Sequence, residues 1–340
     1  MIKVAIAGCG AIAQKRHAPA CSSYKAEQIE IGFFDTVKEN ADKLAEHYGG
    51  QVYGSFKELL EDPWVKAVLI CVPEKYHCDM AVRCLDAGKH VLCEKPMGMD
   101  LEQAYRMYDA REKSGRELAV AFSQRHYSEF LTAKKLLLQG EIGKPIAFRS
   151  ALANSGVEHY IQGNKEKFYD TGLSNVGNVM LNVGCHRVDL ITWLLERQIQ
   201  KVWAYTPALD KRFSNGEPIS GGDTAMVTLQ LEGGIAGTLW ASWCNYGGAD
   251  AGTEIFGTGG SLKISSEGRI LLEKGNGAGM EAVIRKTQEE RKGYQVTWNF
   301  LDFLSQGKPV EADADAGLKC MKTLDAIDRS GKSGTWETVG

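Results

Sequence analysis

Short apolar segments alternate with helix-compatible segments through the first 123 residues, and this rhythm constrains the fold more than any other feature of the chain. Each apolar segment is followed by a stretch whose charged and apolar residues have helical spacing. Strands separated by helices pair in parallel, and a parallel sheet needs helices on both faces. The pattern therefore predicts a doubly wound parallel sheet of the α/β class. The predicted strands end at Ala7, Phe34, Val72, Cys93 and Ala121.

Residues 124–340 have a different rhythm. Apolar and polar residues alternate in a series of segments between residues 201 and 272, and Gly233-Gly234 and Gly259-Gly260 stand where hairpins turn. Because 340 residues are too many for one ordinary core, we predict two domains, 1–123 and 124–340. The second is expected to be an α+β domain with a large, mostly antiparallel sheet. Its other predicted elements are helices at 128–139, 178–196, 295–306 and 313–331 and a strand at 146–153.

Charge and cysteine content exclude several classes of protein. A formal net charge of −3 gives no basic field to attract nucleic acid or an anionic membrane. No apolar run approaches the length that spans a bilayer, and the start of the chain has no cationic leader. The nine cysteines form no Cys-x-x-Cys pair, so neither a disulfide framework nor a thiolate zinc site is indicated. We expect a soluble, cytoplasmic protein that acts on a small molecule.

A glycine-rich turn follows the first strand. The segment Gly8-Cys9-Gly10-Ala11-Ile12-Ala13 matches G-x-G-x-x-G/A and opens a helix. The first glycine permits the tight turn, the second lets the backbone approach a pyrophosphate, and Ala13 allows close contact between helix and strand. The helix N-terminus adds N–H groups and a positive dipole. The motif predicts dinucleotide binding at Gly8, Gly10, Ala11 and Ile12.

Asp35 ends the second predicted strand, 25 residues after Gly10. A carboxylate there accepts hydrogen bonds from the hydroxyls of the adenosine ribose and repels a 2′-phosphate. NAD is therefore the expected cofactor. Lys38 lies close enough in sequence to accommodate that phosphate, which keeps NADP open.

Three further motifs occur in a fixed order: Cys71-Val72-Pro73 with His77, then Glu94-Lys95-Pro96, then Gly184-Cys185-His186-Arg187-Val188-Asp189. With the glycine turn, they resemble the glucose–fructose oxidoreductase/inositol dehydrogenase (Gfo/Idh/MocA) family over nearly the whole chain. The resemblance implies an NAD(P)-dependent oxidoreductase that transfers a hydride between nicotinamide and a hydroxyl or carbonyl carbon of a sugar, sugar derivative or polyol. It also implies that residues 1–123 bind the dinucleotide, and that 124–340 bind substrate and form a homo-dimer or homo-tetramer.

The resemblance assigns roles to the strand-end motifs. Lys95, aimed by a cis bond to Pro96, would bind the substrate oxygen and the nicotinamide ribose of the cofactor, and would stabilise a developing alkoxide. Glu94 and Pro96 would help to hold the cofactor. Cys71, Val72 and Pro73 would border the nicotinamide, and His77 would either lie near it or only cap a helix. Gln124-Arg125 resembles the family's Asn-Arg pair, which places Gln124 at the substrate and Arg125 at the cofactor.

Asn182, His186, Asp189 and Trp193 are spaced i, i+4, i+7 and i+11, which predicts one helical face. The family pattern is Asp-x-x-x-His with a histidine acid/base, so the resemblance implies that His186 exchanges the proton. A satisfied core histidine is the alternative. Asn182 replaces the usual aspartate, so it orients substrate or imidazole without carrying charge. Asp189 either contacts substrate or holds the helix. No metal is expected, because Cys185 and His186 point to different faces.

Residues 154–177 are polar and irregular, as functional loops often are, although an ordinary surface loop explains them equally well. The candidates there to bind substrate hydroxyls are Asn154, His159, Tyr169 and Asp170, and Asp170 is also a candidate for the carboxylate missing at 182.

Two other functions stay open. One is an NAD-dependent glycoside hydrolase that oxidises its sugar transiently, and the other is a non-catalytic dinucleotide-dependent sensor. The sheet of the second domain adds a structural expectation, since large side chains there need cover from helices or from a second subunit. Those side chains are Val202, Trp203, Trp240 and Trp243.

Overall fold

The computed structural model describes residues 1–156, 158, 178–265, 267–275, 279–283 and 292–340. Fourteen strands lie in these ranges: β1 Ile2–Ala7, β2 Ile29–Phe34, β3 Val65–Ile70, β4 His90–Cys93, β5 Leu118–Val120, β6 Pro145–Ala153, β7 Ile199–Tyr205, β8 Thr224–Leu231, β9 Ala236–Ser242, β10 Thr253–Gly257, β11 Gly260–Ile264, β12 Arg269–Lys274, β13 Gly279–Val283 and β14 Glu337–Thr338. The α-helices in the same ranges are α1 Ala18–Ser22, α2 Lys38–Tyr48, α3 Phe56–Glu61, α4 His77–Asp86, α5 Leu101–Ser114, α6 Ser128–Leu138, α7 Cys185–Leu195, α8 Gln295–Gln306 and α9 Ala314–Ser333.

The chain divides into two units. Unit 1 comprises Met1–Ser123 and Thr287–Leu318, and unit 2 comprises Gln124–Lys286 and Lys319–Gly340. The sequence predicts domains of 1–123 and 124–340. The two units differ from this division in one segment, Thr287–Leu318, which belongs to unit 1.

Unit 1 contains a five-stranded sheet with the order β2-β1-β3-β4-β5. Its strand pairs are all parallel, which confirms the predicted doubly wound sheet. The apolar runs explain the burial, since Ala67, Val68, Leu69 and Ile70 of β3 are each 0% exposed. The segment around Val52 pairs in parallel with the outer edge of β2. The N–H of Phe33 donates to the Gln51 carbonyl at 2.8 Å, and the N–H of Tyr53 donates to the Phe33 carbonyl at 2.9 Å.

The strand order fixes where a ligand binds. β1 lies between β2 and β3, so the chain winds in opposite directions on its two sides. Open α/β sheets bind ligands beyond the carboxyl ends of the strands at such a switch point. The glycine turn after Ala7 therefore stands at the position that this fold uses for ligands.

Helix α8 accounts for the return of the chain. Its residues Val296, Phe300 and Leu301 belong to the same apolar core as Val4 and Ile6 of β1. Trp298 Nε1 also donates to the carbonyl of Ala20 in α1 at 2.9 Å. The apolar face of α8 is buried in the first core, which is why this segment belongs to unit 1.

Unit 2 contains a sheet whose described strands have the order β13-β12-β11-β10-β6-β9-β8-β7-β14. Only the β6–β9 pair among them is parallel, so the predicted mostly antiparallel sheet is confirmed. Gly233 and Gly234 both have a φ of 78°, as the predicted turn between β8 and β9 requires. The sequence did not predict β13 or β14.

The large side chains of this sheet differ in how far they are covered. Val202 and Trp243 are 0% exposed, so their cover comes from within the chain. Trp203 is 36% exposed and Trp240 is half-buried, and these two remain on the open face. Side-chain alternation along β7 explains the difference between the neighbours Val202 and Trp203.

Within the described ranges, the helices are all too short or too polar to span a bilayer.

Candidate active site

At the glycine turn, the segments that follow β1 and β3 lie very close together. Gly8 has a φ of 91°, and a Cβ there would lie 2.6 Å from the carbonyl oxygen of Cys71. Only glycine meets both conditions without strain. A Cβ at Gly10, in contrast, would meet nothing within 4 Å. The turn therefore has open space beside its second glycine, as the approach of a pyrophosphate requires.

Asp35 lies beside this turn and is held by backbone groups. Its Oδ2 accepts from the N–H of Cys9 at 2.7 Å, and its Oδ1 accepts from the N–H of Val37 at 2.8 Å. Each carboxylate oxygen has a second lone pair, so the group can still accept from ribose hydroxyls. Lys38 is bound to Asp42 at 2.6 and 2.8 Å. Ala11 is exposed, and Ile12 packs against the core. These residues fit a dinucleotide whose ribose faces Asp35.

His77 ties together the segments that follow β3 and β4. It is 1% exposed, with Nδ1 2.8 Å from the Pro96 carbonyl and Nε2 3.0 Å from the Val72 carbonyl. Its side chain does not cap α4. His77 therefore joins the backbones of Cys71-Val72-Pro73 and Glu94-Lys95-Pro96, two motifs that the sequence singled out separately.

The Lys95–Pro96 peptide bond is cis, as the family resemblance implies. Lys95 is half-buried, between the buried residues Glu94 and Pro96. Oε1 of Glu94 lies 2.9 Å from His17 Nε2 and 3.2 Å from Arg16 Nη1. Burial alone would raise the pKa of the Glu94 carboxyl. The hydrogen bond from His17 and the charge of Arg16 outweigh burial and hold that pKa well below its ordinary range.

Unit 2 carries the histidine motif. A π-helical turn, Met180–Gly184, precedes α7, so Asn182 and His186 do not follow one straight α-helix as their spacing predicted. His186 is half-buried, whereas its neighbours Cys185 and Arg187 are 0% and 1% exposed. Asn182 is half-buried as well. His186 is thus not a fully buried core residue, although the residues on both sides of it are.

Asp189 is bound inside unit 2. It is 2% exposed, and its carboxylate accepts from Arg125 Nε and Nη2 at distances from 2.6 to 3.1 Å. Burial raises the pKa of Asp189, and the guanidinium partly offsets that rise. The structure gives Asp189 the helix-holding role that the sequence left open. Direct contact of Asp189 with substrate and of Arg125 with the cofactor stays a prediction.

Gln124 is 8% exposed, and no hydrogen-bond donor among the described residues reaches its Oε1. Asn154 is half-buried, and its Oδ1 accepts from the N–H of Gly156 at 2.9 Å. His159, Tyr169 and Asp170 lie outside the described residues. In the ranges that are described, no three His, Cys, Asp or Glu side chains are grouped to hold a metal ion.

Sequence reasoning did not single out Arg16 and His17, which contact Glu94, or Thr297, which contacts His17. His17 and Thr297 are 1% and 0% exposed, and His17 Nδ1 lies 2.9 Å from Thr297 Oγ1. The available signal was a basic pair, Lys15-Arg16 followed by His17, on a helix that must pack against the sheet. Such a helix has little room for polar side chains unless they meet partners.

Two family models match the chain. A model described as an oxidoreductase family with an NAD-binding Rossmann fold, in the Gfo/Idh/MocA group, matches residues 2–122. A model of the Gfo/Idh/MocA C-terminal domain matches residues 130–263. The two matches follow each other along the chain in the order of the two sheets.

Individual relatives agree with these models. An uncharacterised oxidoreductase of Rhizobium meliloti is 28% identical over 353 aligned residues, covering 100% of this chain and 99% of that protein. The scyllo-inositol 2-dehydrogenase (NAD(+)) of Bacillus subtilis (strain 168) is 25% identical over 289 residues, covering 84% of this chain and 81% of the relative. A solved structure of levoglucosan dehydrogenase in complex with NADH has a TM-score of 0.89 at 19% identity, covering 100% of this chain and 99% of that one. The structural likeness shows a shared fold.

Proposed function

The chain belongs to the Gfo/Idh/MocA family of NAD-binding oxidoreductases, and from that premise we propose that it interconverts a hydroxyl and a carbonyl on a sugar, sugar derivative or polyol. Bound NAD supplies the hydride acceptor, and NADH supplies the donor in the reverse direction. The chain's own residues bind the dinucleotide, position the substrate and move the proton.

One observation carries the proposal. The reaction needs a cation for the alkoxide and a base for the hydroxyl proton, and both candidates are accessible within otherwise buried segments. Lys95 is half-buried between buried neighbours, and His186 is half-buried between Cys185 and Arg187. Each side chain can therefore be reached from solvent, as a group that meets a substrate requires.

His186 accepts the hydroxyl proton during oxidation and returns it during reduction, since the pKa of an unperturbed imidazole suits proton exchange near neutrality. The Lys95 ammonium donates a hydrogen bond to the same oxygen and stabilises its developing negative charge. Asn182 orients the substrate or the imidazole. Because it holds no charge, it does not strengthen His186 as a base.

Further support for the substrate class comes from the relatives and from Gln124. One relative is named for scyllo-inositol, a polyol, and one structural neighbour for levoglucosan. The buried Gln124 Oε1 is an acceptor that a substrate hydroxyl would satisfy. We also propose that Asp35 favours NAD over NADP, and the pairing of Lys38 with Asp42 supports this preference.

The test is a panel of sugars, sugar derivatives and polyols offered with NAD and with NADP, in both directions. A dehydrogenase changes nicotinamide absorbance in proportion to product. A glycoside hydrolase that oxidises its sugar transiently forms product with no net change in absorbance. Turnover of no panel member with either cofactor would contradict the proposal.

We further propose that two or more copies associate through the open face of the sheet in unit 2. This face forms a depression of about 780 Å³ lined by Trp203, Met226, Trp240 and the ionic group Arg149, Glu254 and Lys263. Met226 is 49% exposed, and charges of both signs lie beside the apolar side chains, which supports pairing with the same face of a second copy. Light scattering should show an oligomer, and Met226→Glu should dissociate it. A wild-type monomer would refute the association.

A cytoplasmic location completes the proposal. All nine cysteines are free thiols, and eight of them are buried. Free thiols in this number suit a reducing compartment.

A further inference from the structure

Arg16 and His17 are adjacent in sequence, yet both contact Oε1 of Glu94. Consecutive residues of a regular α-helix do not face a common partner. Here both belong to the π-helical turn Ala13–His17, which directly follows the glycine turn. Turns of this kind are rare and are often found at functional sites. The turn Ala13–His17 thus connects two parts of the proposed site. One is the helix start that would face the pyrophosphate, and the other is Glu94, the residue before Lys95.

The imidazole of His17 has a defined orientation. The Glu94 carboxylate, whose pKa is well below its ordinary range, is an acceptor only, so His17 Nε2 must carry the proton in their 2.9 Å contact. The opposite nitrogen, Nδ1, lies 2.9 Å from Thr297 Oγ1 of helix α8. Both nitrogens are thus engaged on a ring that is only 1% exposed.

Glu94 in turn contacts the backbone of the next residue. Its Oε2 lies 3.3 Å from the N–H of Lys95, while its Oε1 is held by His17 and Arg16. Glu94 is 8% exposed, and both oxygens of its carboxylate have hydrogen-bond partners. Rotation of the carboxylate is therefore restricted. Loss of the His17 bond would leave Oε1 held by Arg16 alone and would weaken the support of the Lys95 backbone.

We propose that His17 is a positioning residue: held by Thr297, it fixes the Glu94 carboxylate and thereby sets the direction in which Lys95 meets the substrate. This inference rests on the proposed function, since it matters only if Lys95 acts on a substrate oxygen. His17 itself contacts neither substrate nor cofactor. Its effect passes through Glu94.

Two variants of His17 separate the position of the hydrogen-bond donor from the size of the side chain. In His17→Gln, the amide nitrogen occupies roughly the place of Nε2 and still donates to Glu94. In His17→Asn, the amide nitrogen corresponds to Nδ1, and the bond to Glu94 is lost. We expect kcat of His17→Asn to fall by about 10-fold to 10²-fold, the range that a small misplacement costs. His17→Gln should stay within about 3-fold of wild type, because a retained donor preserves the positioning.

The matched control is His47→Asn, which makes the same change at an exposed histidine of α2 and should leave kcat unchanged. NADH affinity, measured by calorimetric titration, should fall by a smaller factor than kcat in His17→Asn, since the proposed contacts at the glycine turn and Asp35 remain. In ¹⁵N-histidine NMR spectra of the cofactor-free protein, one imidazole should show a protonated, hydrogen-bonded Nε2. That signal should disappear in His17→Asn and shift in Glu94→Gln.

The outcomes are distinct. A wild-type protein that turns over no panel member overturns the proposed function and this inference with it. An active wild type with a fully active His17→Asn overturns the inference alone. Equal losses in His17→Asn and His17→Gln would also overturn it, because the retained donor would then have no effect.

Discussion

Arg125 holds both carboxylate oxygens of Asp189 inside unit 2, with Nη2 2.6 Å from Oδ1 and Nε 3.0 Å from Oδ2. Asp189 lies one helical turn after His186 on α7, and its side chain is 1% exposed. The ion pair thus ties the helix that carries the proposed base to the turn that contains Gln124 and Arg125. It gives a structural reason for the last residue of the Gly-x-His-x-x-Asp pattern.

Asp189→Asn should destabilise the protein strongly, because it leaves the Arg125 charge buried without its counterion. Breaking a buried pair in this way costs about 3–5 kcal/mol in the free energy of unfolding. Chemical denaturation measures the loss. The double variant Arg125→Leu with Asp189→Leu should be less destabilised than Asp189→Asn, because no charge is left buried. Wild-type stability in Asp189→Asn would show that the pair does not hold α7.

Lys95→Ala and His186→Ala should each lower turnover by at least about 10²-fold, the usual contribution of an acid/base or charge-stabilising group. NADH affinity should fall less, because neither side chain is proposed to hold the dinucleotide alone. Steady-state kinetics and calorimetry separate the two effects. Lys66→Ala, at an exposed lysine of β3, serves as the control. Wild-type turnover in either variant would remove that residue from the mechanism.

Asp35→Asn keeps the size of the side chain and the oxygen that accepts from Cys9 but removes the negative charge. If repulsion of a 2′-phosphate sets cofactor preference, the ratio of kcat/KM for NAD to that for NADP should fall by about 10-fold, or about 1.4 kcal/mol. Asp35→Ala should relax the preference as well. An unchanged ratio in both variants would show that Asp35 does not discriminate between the cofactors.

The two glycines of the turn should respond in opposite ways to substitution. Gly10→Ala should fold with wild-type stability, since a Cβ there meets nothing within 4 Å, yet it should weaken NADH binding by occupying part of the space for the pyrophosphate. Gly8→Ala should lower the thermal midpoint, since its Cβ would clash with Cys71 O at 2.6 Å and its φ is 91°. Calorimetric titration and thermal unfolding measure the two effects. Unaltered NADH affinity in Gly10→Ala would place the dinucleotide elsewhere.

The ionised Asp62 carboxylate stabilises unit 1, and its contribution to the free energy of unfolding depends on pH. Burial alone would raise its pKa, but hydrogen bonds from Tyr53 at 2.6 Å and Lys3 at 2.9 Å lower it to about 2. A depressed folded-state pKa stabilises the protein above the unfolded value of 3.8, and that stability is lost as the pH falls toward 2. Asp62→Asn should therefore cost about 1–2 kcal/mol at pH 7, with a smaller difference at pH 3. Urea unfolding at both pH values measures this, and a constant difference would contradict the assignment.

The strand ends and the glycine turn were predictable because their signals are local. A strand, two glycines and a helix start within a few residues, and Asp35 follows at the end of the next strand. The resemblance added the cis bond before Pro96, which the structure contains. The contacts of His17 were not predictable, because Glu94 and Thr297 are separated from it by 77 and 280 residues and meet it only through tertiary packing.

Helical spacing misled the reading of Asn182 for a related reason. A period of 3.6 residues assumes a regular helix, and the π-helical turn Met180–Gly184 breaks that period before α7 begins. The difference in exposure between Trp203 and the buried residues Val202 and Trp243 also depends on which face of the sheet is covered. Residue types alone do not reveal that choice.

The burial of α8 against β1 has a consequence for how the protein is made. On the ribosome, the first sheet emerges long before the helix that covers part of its core, because Gln295–Gln306 lies near the other end of the chain. Until that helix is translated, an apolar surface around Val4 and Ile6 stays exposed to the cell. We therefore expect a fragment that stops at residue 123 to aggregate, because it lacks the helix that covers this part of the core.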